Sequence, residues 1–379
     1  MKKLLFLFIG IFILSGCNKE TPEAPSGQQE GTGKPEQKGK IVSVSITSLP
    51  VQTTYVLNES FSVEGLSLTL TYENQSTLSL KSVPEEWISG FSSDLPVAGK
   101  EVVIRPINSV SDDVFVSFKV DILPIKVQNG EIMEVLHSDF TTIIVPEGIK
   151  SIRNDAFGNM SLVERIELPS TLERIGSYVF HASSKLKVVD LSKTRLTELP
   201  SGTFESCEEI SQVILPTTIK KIGGNAFYGT KHLTEMVVPE GVEEIGNTAF
   251  SYSGIVSIQL PNTICNINRS FYKCSSLRSV EAYGRKYEGQ KEERSITGES
   301  FQFCPNLEKL QIPSGVKRIG ISVLGICKVE KLVIPATIEY IEFNAFGNAI
   351  SLKEVMLEGT RKKKIEDNAF PPGVVIKGV

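Results

Sequence analysis

Residues 215–250 read LPTTIKKIGGNAFYGTKHLTEMVVPEGVEEIGNTAF, and the second half restates the first. Pro216, Ile219, Ile222 and Ala226-Phe227 return as Pro239, Val242, Ile245 and Ala249-Phe250. The same ending, Ala-Phe or an equivalent, falls at Phe157, Phe180, Phe204, Phe227, Phe250, Phe271, Phe301, Leu324, Phe346 and Phe370. The intervals are 23, 24, 23, 23, 21, 30, 23, 22 and 24 residues. So regular a period marks a solenoid whose units each bury an apolar side against their neighbours.

A second regular phrase precedes each Pro, with apolar residues at i, i+3 and i+5: Leu233, Met236, Val238; Ile255, Ile258, Leu260; Leu307, Leu310, Ile312; Leu352, Val355, Leu357. The last two of each trio share one face of a strand, and the first enters from the bend before it. The Pro that follows has no backbone donor and tends to end a ladder. The paired apolar residues after it usually precede a Gly that permits a turn, and the Ala-Phe ring is expected to insert between layers.

The i, i+3, i+5 spacing is the L-x-x-L-x-L core of leucine-rich repeats. With VxLPxxLxxIGxxAFxxC as the full phrase, residues 125–379 resemble the BspA-like leucine-rich repeat family of bacterial surface proteins, in about ten repeats. The resemblance implies a right-handed α/β solenoid, rich in β with short helical or 3-10 turns. Departures are visible. Leu191-Ser192 and Ala282-Tyr283 lack the Pro, Val323-Leu324 replaces Ala-Phe, and the long interval carries the insert GRKYEGQKEERSITGES at residues 284–300. The ending FPPGVVIKGV reads as a closing strand, since an end unit must hide its core without a neighbour.

Composition narrows the function. An apolar fraction of 40% with 22% charged residues belongs to a folded chain,. A net charge of −4 gives no basic face for nucleic acid,. The three histidines, His137, His181 and His232, show no metal-ligand spacing, and no nucleophile elbow, phosphate loop or HExxH occurs,. A non-enzyme with no cofactor and no metal is expected; scattered carboxylates leave a paired-carboxylate hydrolase as the minor alternative. Cys207, Cys274, Cys304 and Cys327 fall three residues after the Phe or its equivalent, where other units hold Met160, Ser183, Thr230, Ser253 and Ala349. Small apolar filling explains that column, and a disulfide between consecutive units is the alternative.

Ahead of the repeats the pattern differs. Residues 41–124 contain IVSVSI, LSLTLTYEN, EVVIRPI and VFVSFKVDI, each alternating apolar and polar at the strand period,. Five to seven short strands there form a small all-β sandwich, and Leu49-Pro50, Tyr55, Phe61, Gly65-Leu66, Thr71-Tyr72 and the late VAGK resemble bacterial Ig-like domains,. Trp87 reads as a packing residue. The chain opens MKKLLFLFIGIFILSGC, where a charged start, an apolar run and Leu14-Ser15-Gly16-Cys17 resemble a lipobox,. That resemblance implies a signal peptide over residues 1–16 and lipid on Cys17; an ordinary secretory signal is the alternative. Residues 17–40, almost without apolar side chains, read as a disordered tether,.

Ten strands stacked at ~4.8 Å would build a sheet ~45–50 Å long, with positions i+1, i+2 and i+4 facing solvent. Glu164, Arg165, Glu167, Lys187, Asp190, Gln212, Ile214, Glu235, Val237 and Gln259 are the candidate partner-binding residues, with Ile214 and Val237 as an apolar spot within a polar rim. The insert offers a second candidate, the loop of Arg285, Lys286 and Tyr287. The family resemblance implies an outer-membrane lipoprotein exposed on the cell surface, adhering to a host extracellular or cell-surface protein or to other bacteria. Alternatives are glycan capture for nutrient uptake, for which the strand face offers almost no aromatic platform beyond Tyr283 and Tyr287, and an envelope scaffold.

Overall fold

The computed structural model describes residues 39–93, 97–136, 140–285, 294–360 and 362–378. The expected signal peptide, Cys17 and the tether up to residue 38 lie outside the described residues, as do His137, Lys286 and Tyr287. The chain divides into two compact units at Lys126/Val127.

The first unit carries seven strands in two sheets. Ile41–Ser48 pairs antiparallel with Ser67–Tyr72, which pairs with Thr77–Leu80. The other sheet runs Thr54–Tyr55, Val116–Ile122, Val97–Ile104, Ile88–Ser89. Alternation in sequence becomes alternation in burial: Leu68, Leu70 and Tyr72 are buried from one sheet, and Val116, Phe118, Val120 and Ile122 from the other,. Tyr55, Phe61, Phe91 and Phe118 form an aromatic cluster with ring centroids 4.9–6.0 Å apart. Trp87 ends a 3-10 turn, Glu85–Trp87, and is buried.

The second unit is a β-solenoid of stacked coils. The L-x-x-L-x-L strands line one side as parallel rungs: Thr142–Ile144, Arg165–Glu167, Val188–Asp190 and Gln212–Ile214; then Glu235–Val237, Ser257–Pro261, Ser279–Tyr283 and Lys309–Leu310; then Lys331–Ile334, Glu354–Leu357 and Val375–Gly378. These are eleven rungs in three sheets among the described residues, where ten in one sheet were expected. The last rung is the expected closing strand, paired along Glu354–Leu357. Register follows the repeat, with Ile166 opposite Ile143 and Val189, so buried columns run along the axis.

A second side, unread from the sequence, is also a parallel ladder. The paired apolar residues that follow each first-ladder strand end in short strands of two or three residues. Ser151–Ile152 and Arg174–Ile175 fall in a separate four-stranded sheet, and Glu198–Leu199, Lys221–Ile222, Glu244–Ile245, Asn266–Asn268, Ser295–Thr297, Arg318–Ile319, Tyr340–Ile341 and Lys364–Ile365 are hydrogen-bonded in that order as an eight-stranded sheet. Ser295–Thr297 corrects the expected insert: Ile296 is buried at the rung position, so the coil resumes before the insert's end. The glycines after these strands also differ from expectation. Gly223 and Gly246 have no positive φ. A Cβ on Gly223 would lie 2.6 Å from Pro200 C and Ser201 N of the preceding coil. Close approach of two backbones, rather than a turn, requires the missing side chain.

The Ala-Phe rings do not wedge between layers but form a column of their own. Phe157, Phe180, Phe204, Phe227, Phe250, Phe271 and Phe301 follow one another with centroids 4.9–5.5 Å apart. Leu324 fills the next place, and Phe346 and Phe370 resume 5.3 Å apart. The segments between strands are hydrogen-bonded turns, with no helix among the described residues of the solenoid. The cysteine column is more than apolar filling: the thiols of Cys207, Cys274 and Cys304 donate to the carbonyls of Phe180, Phe250 and Phe271, one coil back, at 2.9, 2.9 and 3.1 Å. Ser183 does the same to Phe157 at 2.8 Å. All five cysteines of this unit are free thiols.

Candidate functional site: the exposed face of the first ladder

Each three-residue rung of the first ladder turns its middle residue inward and its outer residues toward solvent, because successive Cβ atoms alternate across a strand. Glu164, Arg165, Glu167, Lys187, Asp190, Gln212, Ile214, Glu235, Val237 and Gln259 are all exposed, in three columns along the solenoid axis. Ile214 and Val237 occupy the same column in consecutive coils, 38% and 58% exposed, although the ladder breaks between their strands.

Charge is unevenly spread over this face. On its second and third rungs Lys187 pairs with Glu164 at 2.8 Å and Arg165 with Glu167 at 2.9 Å. Toward its end Lys309 pairs with Glu281 at 2.8 Å, Lys353 with Glu330 at 2.6 Å and Lys377 with Glu354 at 3.1 Å. Between them, Ser211, Gln212, Ile214, Thr234, Val237, Val256, Ser257 and Gln259 carry no charge, and Glu235 is the one ionised group among them. Exposed ion pairs add little stability, but they fix side-chain positions at both margins of an uncharged centre.

A cleft of about 280 Å³ opens at the charged margin, lined by Arg165, Glu167, Leu168, Val188, Asp190, Lys193 and Ile214. Asp190 stands where other units place the residue before the Leu-Pro corner. The Ser192 hydroxyl and amide hold its carboxyl below the usual carboxylate range, with the amide donating at 2.8 Å. The strand therefore presents a fixed anion beside Ile214 instead of a Pro corner.

The other sequence candidates separate from this face. Arg285 is exposed, its amide and guanidinium both tied to Glu240, the latter at 3.4 Å. Tyr283 is no platform: half-buried, it donates its phenol to the Val238 carbonyl at 2.5 Å. His181 Nδ1 lies 2.7 Å from Asp155 Oδ1, but its Nε2 faces the Asn159 amide at 3.3 Å and no hydroxyl or thiol nucleophile,. His232 Nδ1 sits 2.8 Å from the Glu208 carbonyl. Among the described residues no group of three or more His, Cys, Asp or Glu could hold a metal.

A feature the sequence reading missed lies on another side of the coils. Tyr228, Tyr252, Tyr272 and Phe303 follow the Phe column by one or two residues and form a chain of exposed or half-buried rings around Lys273. The signal was present but split, since two rings fall one residue after an Ala-Phe equivalent and two fall two residues after it.

The repeat units match the model of the BspA type leucine-rich repeat region in six copies, over residues 136–254, 197–287 and 285–372. The chain belongs to the BspA-type leucine-rich repeat family. Solved structures similar to it include a leucine-rich repeat protein from Bacteroides ovatus (23% identity over 62% of this chain and 61% of that one, TM-score 0.48). A T. pallidum leucine-rich repeat protein is 21% identical over 51% of this chain and 78% of its own, with a TM-score of 0.35. A leucine-rich cell surface protein from Faecalibacterium prausnitzii is 18% identical over 70% of this chain and 89% of its own, with a TM-score of 0.24. The alignment thus spans less than two thirds of the B. ovatus protein. No curated protein matches the chain. Leucine-rich repeat solenoids of this family are typically interaction scaffolds rather than enzymes, and a macromolecular partner is consistent with the long exposed ladder,.

Proposed function

We propose that this chain is a non-enzymatic, lipid-anchored protein of the bacterial surface that binds a macromolecule, chiefly protein, through the exposed face of its first ladder. In this reading residues 1–16 are a lipoprotein signal, Cys17 carries the lipid, residues 17–40 are the tether, 41–124 an Ig-like spacer and 125–379 the binding solenoid. The partner is a host extracellular or cell-surface protein or a molecule of another bacterium.

The observation that carries the reading is the uncharged centre of the face, around Gln212, Ile214, Val237 and Gln259, bordered on both margins by ion pairs. Protein interfaces have this plan: a core depleted of charge, a polar rim, and affinity concentrated in a few central residues. A cleft that sets Ile214 beside Arg165 and Asp190 supplies an anchor point and a charge pattern to read.

Binding of the purified chain to cultured host cells and to neighbouring bacteria tests it. Ile214→Asp and Val237→Asp are expected to lower binding at least about tenfold, as loss of a central contact does. Arg165→Glu and Lys187→Glu are expected to weaken it less, because each opposes a carboxylate already in place. Unchanged binding in all four variants refutes this mapping.

A further inference from the structure

We propose that the ring cluster beside the Phe column is a second binding site, specific for glycans that carry a carboxylate. It lies on a different side of each coil from the first ladder and rests on observations independent of that face.

The cluster is continuous. Centroids are 5.3 Å apart for Tyr228 and Tyr252, 6.2 Å for Tyr252 and Tyr272, and 5.6 Å for Tyr272 and Phe303. Tyr252 and Phe303 are each 44% exposed. The Lys273 ammonium stands 5.2, 5.4 and 5.9 Å from the rings of Tyr252, Tyr272 and Phe303. Among the described residues it pairs with no carboxylate, whereas its neighbour Arg269, stacked on Tyr272, is neutralised by Glu299 at 2.9 Å. A cleft of about 470 Å³ opens there, walled by Tyr252, Phe303, Pro305 and Ile326 with Lys273 and Ser275 as its polar groups.

The repeated backbone turn aligns these side chains. Tyr252, Lys273 and Phe303 have φ of 58°, 56° and 57°, the left-handed region. At the equivalent position earlier coils place Asn159, Ala182, Ser206 and Gly229, which are small or suited to that region,. Left-handed φ recurs at this turn in every coil from Asn159 to Phe303, and Tyr178 and Arg269 adopt it two residues before their Phe, so the conformation belongs to the repeat, and what is particular to these coils is the size of the side chains it carries,. Here three consecutive coils carry them, and all three converge on one cleft.

The chemistry selects the ligand. Ring faces attract the C–H faces of a pyranose, and an ammonium without a carboxylate partner supplies the charge that an acidic sugar would meet. The cleft is large enough for a sugar unit, and the ring chain, extending along the coils, matches a polymer of repeating units. A peptide is the poorer match. Backbone amides on this side are spent between coils, as Tyr252 N–H to Tyr272 O at 3.2 Å and Lys273 N–H to Gln302 O at 2.9 Å, so an extended chain finds no ladder edge to join,.

The test is calorimetric titration of the full chain with oligogalacturonate, a hyaluronan hexasaccharide and sialyllactose, beside methyl-esterified oligogalacturonate and an acidic peptide. At least one acidic glycan is expected to bind, about tenfold or more tighter than the neutral ester. Tyr252→Ala and Phe303→Ala are each expected to cost about tenfold for acid and ester alike. Lys273→Gln, a surface change that leaves the rings in place, should remove only the preference for the acid. A melting temperature within the wild-type range shows that each variant folds. The proposal is overturned by no binding to any of the three acidic glycans, by binding that survives both ring truncations, or by an acidic peptide that binds as tightly as the best glycan.

Discussion

Replacing Phe227 by Ala removes one ring from the middle of the aromatic column. Phe227 is fully buried, stacked 5.5 Å from Phe204 and 4.9 Å from Phe250 at interplanar angles of 22° and 12°. Truncation of a buried Phe costs about 3–5 kcal/mol in transfer and cavity terms, and within this range lie two ring pairs worth about 0.5–1.5 kcal/mol each. Backbones on both sides are locked by coil-to-coil hydrogen bonds, Phe227 N–H to Ala249 O at 2.7 Å and Phe204 N–H to Ala226 O at 2.8 Å, so the cavity has little room to collapse. A loss near 4 kcal/mol lowers the melting temperature of a unit this size by about 8–16 °C. Far-UV circular dichroism follows the solenoid, and Trp87, the chain's only tryptophan, reports separately on the first unit. Phe227→Leu is the control, because Leu324 already occupies this column fully buried; it should cost about 1.5 kcal/mol or less. If Phe227→Ala shifts stability by less than about 1 kcal/mol, or if Leu is as damaging as Ala, the stacked column is not what holds the coils together.

Other expectations follow from the same packing. Gly223→Ala places a Cβ 2.6 Å from the Pro200–Ser201 backbone and should cost about 1–3 kcal/mol, whereas Gly148→Ala, with nothing within 4 Å of its Cβ, should cost only the left-handed backbone penalty,; comparing the two midpoints in urea separates collision from conformation. Burial pushes the Cys207 and Cys274 thiols up to about 12. The folded state therefore holds these protons more tightly than the unfolded chain, and their contribution is intact below pH 9 and lost as pH rises toward 12,. Urea midpoints measured from pH 8 upward should fall through that window, and in Cys207→Ser with Cys274→Ser the fall should shrink. Alkylation of the native protein without reductant should leave these thiols unlabelled, and alkylation in denaturant should label all five described cysteines; native labelling of Cys274 would contradict its burial.

The solenoid was legible because its signals are one-dimensional. An Ala-Phe that returns at a fixed interval, and Leu233, Met236 and Val238 at strand spacing, are consequences of burial that survive in sequence,. The second ladder was not legible, since Lys221–Ile222 and its partners are too short to display a period of two. Gly223 was misread as a turn residue because its real constraint is a backbone 22 residues earlier, at Ser201. The cysteine column looked apolar because the carbonyl that receives each thiol belongs to the preceding coil. Exposure of Ile214 and Val237 follows from strand alternation alone, while the pairing of Arg165 with Glu167 and of Lys187 with Glu164 needed three dimensions. The ring cluster was hidden in a different way. Its members sit one residue after the column in Tyr228 and Tyr272 but two in Tyr252 and Phe303, so no single position in the repeat displays them.

Protease shaving of intact cells, followed by immunoblotting for the solenoid with a periplasmic protein as control, bears most directly on a surface binding role. The account predicts that the solenoid signal is lost while the periplasmic control persists. A solenoid that stays protected until the outer membrane is opened would contradict it and turn the exposed ladder toward a partner inside the envelope.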